Sequence, residues 1–219
     1  MNESALLLLN LQNDCMPQGA LSIPGADAVI AVANQLMQEF PFVVAVKKSH
    51  PADHFSFAEC HPRKKVGDTI TINGKVQELW PRHCVEDSHG SALVSELDLS
   101  GIDHILSKGG HRLRVSYSAF FENRNRLATG LHTLLKFHKV KNLYILGISL
   151  DHDVARTAGD ALNLGYQPYV IIDACYSAFP EELKLENFIK DLKAKNVMIV
   201  NSNTLTASPK QLHFEFEEE

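Results

Sequence analysis

The stretch LYILGISLDHDVARTAGDAL, Leu143 to Leu162, decides the fold. Its first part is a short apolar run ending at Gly147, of a length that suits a buried strand, and a helix with an apolar face begins within a few residues. Asp151, His152 and Asp153 stand at this handover, two carboxylates flanking an imidazole. In open α/β sheets, ligands bind where strands give way to helices.

The same alternation runs outward in both directions. Residues 5–11 (ALLLLNL), 41–46 (PFVVAV), 103–107 (DHILS), 142–148 (NLYILGI), 166–173 (YQPYVIID) and 196–200 (NVMIV) read as six core strands. Helical spacing covers 24–40, 125–140, 151–164 and 181–193, with Pro24 suited to the start of the first helix. Residues 67–77 alternate around an Asn-Gly pair, which predicts a small hairpin outside this pattern. Strands alternating with helices imply βαβ units and right-handed crossovers. The expectation is a single three-layer α/β/α domain over 1–219, with a mostly parallel six-stranded sheet, a core at about 5–202 and a frayed acidic tail at 203–219.

A chain of 219 residues, 45% of them hydrophobic, can bury one good core. The net charge of −5 gives no reason to expect nucleic acid or an anionic membrane as partner. No apolar run approaches the ~20 residues that span a bilayer, and acidic Glu3 before a short apolar stretch does not read as a signal peptide. Cys15, Cys60, Cys84 and Cys175 show no paired spacing, so reduced thiols in a cytoplasmic protein are expected.

Chemistry-bearing residues gather just after the predicted strands: NLQND at 10–14, KKSHPADH at 47–54 with WPRH at 80–83, SKGG at 107–110 with VSYSAF at 115–120, and the opening stretch. Together with LGYQPYVIIDACYS, these blocks resemble, in order, the signatures of the nicotinamidase branch of the isochorismatase-like cysteine hydrolases, over about residues 5–180. The resemblance implies that fold and a pocket for nicotinamide. It also implies an Asp, Lys and nucleophilic Cys that release ammonia through an acyl-enzyme, and a divalent metal such as zinc held by one Asp and three His.

At the decisive positions the chain departs from that pattern. Asn10 stands for the family's Asp, Lys108 keeps its Lys, and Asp153 stands for its Cys. His50, His54 and His83 match the metal-binding imidazoles, while Lys48 replaces the metal-binding Asp. Asn10 cannot take a proton and Asp153 has no sulfur, so the inherited thiol chemistry is expected to be gone and no metal cofactor is expected. Charge is balanced at both places: Lys108 and Asp153 sum to zero, and Lys48 alone carries the plus one of a dication with its Asp. On this reading Lys108 pairs with Asp153, and Lys48 donates to the imidazoles of His50, His54 or His83. A plainer reading leaves those three rings bonded to backbone or water.

Trp80, Phe55, Tyr117, Ser149 and Leu150 are the remaining candidates for lining the pocket. The expected function is a nicotinamidase-like protein without thiol amidase activity, binding a small heterocyclic or amide ligand and forming a homo-oligomer. The alternative is a hydrolase of a small amide that uses Asp153 and Lys108 without a thiol.

Overall fold

A computed structural model describes residues 3–72, 74–122, 127–178 and 184–206. Six strands form one sheet: β1 (Ser4–Leu9), β2 (Val43–Lys48), β5 (His104–Lys108), β6 (Asn142–Ile148), β7 (Gln167–Tyr176) and β8 (Met198–Val200). Their order is β5-β2-β1-β6-β7-β8, and every pairing is parallel. The expected hairpin is a separate antiparallel ribbon of β3 (Thr69–Ile72) and β4 (Lys75–Glu78).

Both faces of the sheet are covered, which is why the strands read as unbroken apolar runs. Along β1, Leu6 and Leu8 pack against α1 (Ala28–Met37), while Ala5, Leu7 and Leu9 face the other layer. That second layer holds α2 (Leu131–Phe137), α3 (Ala155–Asn163) and α4 (Leu185–Ala194), through Leu131, Leu135, Ala158, Ala161 and Leu192. The period-2 alternation of strand side chains thus divides one apolar run between two cores.

The helices are shorter than their apolar spacing predicts, each for a local reason. Ile23 and Ala26 are buried in the α1 core from a turn that precedes the helix, so the periodic pattern extends past the helix itself. The expected helix at 125–140 begins only at Leu131. Ala128 is bridged to Phe121, and Gly130 takes a left-handed conformation (φ 98°) ahead of the first helical residue. Residues 125–126, residues 181–183 of the fourth expected helix, and tail residues 207–219 lie outside the described residues. At the opening stretch the helix at 151–164 starts with one π-type turn, Leu150–Val154, closed by the Val154 N–H donating to the Ser149 carbonyl (2.9 Å), and only then becomes α3.

Gly147 lies beside β1 so closely that a Cβ there would meet the Leu9 carbonyl oxygen at 2.2 Å, and its φ of +122° belongs to glycine. Both obstacles are backbone, so neither relaxes cheaply. Gly147→Ala is therefore expected to cost about 3 kcal/mol or more of stability, by crowding and positive-φ strain together. Urea unfolding of the two proteins checks this.

Candidate functional site

The strand order places the turn-back of the topology between β1 and β6, and the site lies at the carboxyl ends of the strands around it. Lys48 is the last residue of β2 and Lys108 the last of β5, paired in register. Asn10 follows β1 with φ 55°, a conformation that asparagine tolerates better than most residues. Asp153 is carried in from the π-type turn after β6, which itself follows a cis peptide bond between Ile148 and Ser149. Four residues distant in sequence thus converge because parallel strands all end on the same side.

Their centre is the Asp153 carboxylate, fully buried and in contact with two ammonium groups. The Lys108 Nζ donates to Asp153 Oδ1 at 2.6 Å and to the Tyr117 carbonyl at 2.7 Å. The Lys48 Nζ lies 3.3 Å from Asp153 Oδ2. Asn10 donates through Nδ2 to the Ile148 carbonyl, and its Oδ1 is a buried acceptor with no partner among the described residues. Burial pushes the Asp153 carboxyl up, but Lys108, Lys48 and the Asn10 amide together hold it well below the usual carboxylate range. Burial presses on Lys48 as well. There Asp153, together with Cys15, Cys84 and Tyr117, offsets it and leaves the ammonium protonated. Lys108, with its side chain wholly inaccessible and Lys48 nearby, is lowered by burial despite the closer contact with Asp153.

The expected pairing of Lys108 with Asp153 is present; the expected donation from Lys48 to the imidazoles is not. The three rings do lie together, His50 to His54 at 4.5 Å and His50 to His83 at 5.2 Å between centroids. Their bonds go elsewhere. His50 Nδ1 donates to the Gly109 carbonyl (2.9 Å) and His83 Nδ1 to the Pro81 carbonyl (2.8 Å). His54 Nε2 donates to the Arg114 carbonyl (2.9 Å), so its Nδ1 accepts from the Ser56 hydroxyl (2.8 Å). Lys48 instead joins the other ionic group, because a full carboxylate attracts a buried ammonium more strongly than a neutral imidazole does. Two centres balanced separately on paper are one cluster in space.

Of the expected lining residues, Ser149 and Leu150 are buried at the entry of the π-type turn. Trp80 and Tyr117 form a bonded pair, the indole Nε1–H donating to the Tyr117 hydroxyl at 3.2 Å. Phe55 is half-buried at the outer edge, against His54 (5.1 Å). Three residues outside the expected site set also belong here, two of them, His152 and Gln12, from stretches the sequence had already marked. Phe57 is fully buried with its ring 5.6–5.8 Å from all three imidazoles. His152 packs on Trp80 (5.4 Å) and Tyr117 (5.2 Å). Gln12 holds the backbone of Lys48 from both sides, accepting from its N–H and donating to its carbonyl, each at 2.7 Å. The matched block N-L-Q-N-D held the signal for Gln12; nothing marked Phe57 apart from an ordinary core residue.

Two of the thiols are shifted away from the reactive thiolate form. Burial raises Cys175 to about 12. Cys84 is raised well above its ordinary value by its hydrogen bond with Cys15 and by burial. A nucleophilic cysteine needs the opposite shift.

Comparison with known proteins fits this geometry. The isochorismatase domain matches residues 4–204. This chain belongs to the isochorismatase family. It is similar to the nicotinamidase of Acinetobacter baylyi, 39% identical over 204 residues that cover 93% of this chain and 95% of that one. It is also similar to the nicotinamidase of Escherichia coli, 39% identical over 179 residues, 80% and 84% of the two chains. Among solved structures, an Acinetobacter nicotinamidase superposes with a TM-score of 0.87 at 35% identity, covering 94% of this chain and 99% of that one. The yeast nicotinamidase bound to the inhibitor nicotinaldehyde does so with 0.85 at 30% identity, covering 90% and 99%. The chain is therefore nicotinamidase-like over nearly its whole length.

The divalent metal implied by the family resemblance does not fit these side chains. His54 has no lone pair to give, since one ring nitrogen donates to Arg114 and the other accepts from Ser56. His50 and His83 each retain a free lone pair, but the Lys48 ammonium acts on both. Among the described residues no group of three or more His, Cys, Asp or Glu side chains is arranged to hold a metal ion.

Two outcomes follow for stability. Removing the shared anion by Asp153→Ala leaves two buried ammonium groups unpaired, at an expected cost of about 3–5 kcal/mol. Lys48→Met in the same background should return part of this, which a double-mutant cycle by urea unfolding measures. Acid acts through the imidazoles. Burial first, then Lys48, lowers His83 from 6.5 to about 4. The unfolded chain then binds the proton more readily than the native one, and stability falls as pH drops through that window. His83 alone predicts a loss of about 2 kcal/mol between roughly pH 7 and 5, and His50 and His54 shift in the same direction. His83→Gln is expected to flatten the pH dependence of unfolding.

Proposed function

We propose that this protein keeps the nicotinamidase scaffold and a small-ligand site while lacking the thiol amidase reaction. The observation that carries this reading is the Asp153 carboxylate, buried without solvent contact and gripped by Lys108 at 2.6 Å and Lys48 at 3.3 Å. The resemblance implies a cysteine at that position. A thiolate attacks a carboxamide carbon and is later displaced by water. A carboxylate in the same place would have to form a mixed anhydride with an unactivated amide, and two neighbouring cations reduce its electron-donating power further. Asn10, in place of the family's base, has no site for the proton a thiol would surrender.

The alternative in which Asp153 activates water is weakened by the same contacts. A general base works best with a pKa near the working pH, and both ammonium groups move Asp153 away from that range. Binding is better supported than turnover: aromatic side chains from three segments, Trp80, Tyr117 and His152, stand beside the charged cluster. The nicotinamidase relatives and the nicotinaldehyde complex of the yeast protein make a pyridine-type ligand the natural class to test.

Purified protein incubated with nicotinamide is expected to release no ammonia above the uncatalysed background, as read by a coupled ammonia assay. Asn10→Asp, Lys48→Asp and Asp153→Cys installed together are expected to produce ammonia release at least a hundredfold above the parent chain. Turnover by the unaltered protein would overturn the proposal.

A further inference from the structure

We infer that the site selects an anionic ligand, an aromatic or heterocyclic monocarboxylate, over the corresponding neutral carboxamide, and that Lys48 makes this selection. The inference rests on the proposed retention of a ligand site and adds the charge of its occupant.

Two ammonium groups share one carboxylate. Lys108 is satisfied twice over, by Asp153 and by the Tyr117 carbonyl. Lys48 has three N–H donors, and the one ion pair it forms among the described residues is with Asp153 Oδ2 at 3.3 Å. The other carboxylates in the neighbourhood are engaged by backbone amides. Glu122 accepts from the Gly109 N–H (3.0 Å), and Asp14 accepts from the N–H groups of Cys84 (2.7 Å) and Ala20 (3.3 Å). Neither forms an ion pair with Lys48 or Lys108, and Glu122 acts through space on Lys108 and not on Lys48. The rings of His50 and His83 each donate from Nδ1 to a carbonyl, and burial disfavours a charge on either. The cluster therefore holds one positive charge more than its own anion can offset.

Accessibility points the same way. The side chains of Lys108 and Asp153 have no accessible surface, whereas 9% of the Lys48 side chain remains accessible. A ligand arriving at this cluster meets the under-bonded cation first. A carboxylate would fill its free donors with short ammonium–carboxylate bonds and neutralise the charge as well. An amide offers a carbonyl but leaves the charge unmatched, and a buried unmatched charge is costly. Planar rings suit the aromatic side chains of the region, which form two groups, His50, His83 and Phe57 in one and Trp80, Tyr117 and His152 in the other.

The test measures the affinities of two matched pairs, nicotinate against nicotinamide and benzoate against benzamide, by isothermal titration of the full chain near neutral pH. Each carboxylate is expected to bind at least tenfold more tightly than its amide. Lys48→Met, with its fold checked by circular dichroism, is expected to reduce that ratio to about one. Equal or tighter binding of the amides to the unaltered protein would overturn the inference while leaving a ligand site in place. Binding of none of the four would overturn both the inference and the retention of a site. A preference that survives in Lys48→Met would remove Lys48 from the argument and overturn its assignment. Ammonia release is read separately, so failure of the inactivity proposal is distinguishable from failure of this one.

Discussion

One carboxylate between two ammonium groups is the interaction on which the site depends. Burying three charges is unfavourable unless they offset one another, and the geometry achieves this with few parts: Asp153 accepts a hydrogen bond from Lys108 through one oxygen and faces Lys48 with the other. The sheet supplies the arrangement. Parallel strands deliver their ends to one edge, so Lys48, Lys108, Asn10 and the π-type turn reach a common point without any long loop. Gln12 then secures the main chain of Lys48 through both amide groups, fixing where its long side chain begins.

Around this charge lies a shell of rings whose polar atoms are mostly directed away from it. His50, His54 and His83 bond outward, to carbonyls and a hydroxyl, and keep their imidazoles neutral. This makes the surroundings apolar enough to strengthen the ionic contacts, and burial is the largest cause of the lowered values of His50 and His83. The ribbon of β3 and β4 takes part as well, since Gln77 in β4 reaches the Tyr117 hydroxyl (3.4 Å) that also receives the Trp80 indole N–H.

Most of the architecture was legible in the sequence because burial on both faces leaves strong apolar runs, as at 5–11 and 142–148. Helix ends were less legible. The apolar residues that punctuate 24–40 serve the core from a turn as well as from a helix, and left-handed Gly130 precedes an α2 that begins later than the predicted residue 125. The site was legible in position and partly in pairing. Matched blocks located Asn10, Lys108 and Asp153, and charge balance alone suggested that the last two would meet. It could not tell that Lys48 would choose Asp153 over the imidazoles, since that depends on which way each ring turns, and Gly109, Pro81, Arg114 and Ser56 determine this through contacts no local pattern reveals.

The shared anion also bears on how such a chain can change over generations. A cysteine arriving at 153 by itself would deprive both lysines of their counterion, and an aspartate arriving at 48 by itself would set two acids around a single base. Each intermediate is less stable than either end point. Passage between this arrangement and a thiol-bearing one therefore requires coordinated substitutions, and the cluster acts as a ratchet that resists stepwise reversion.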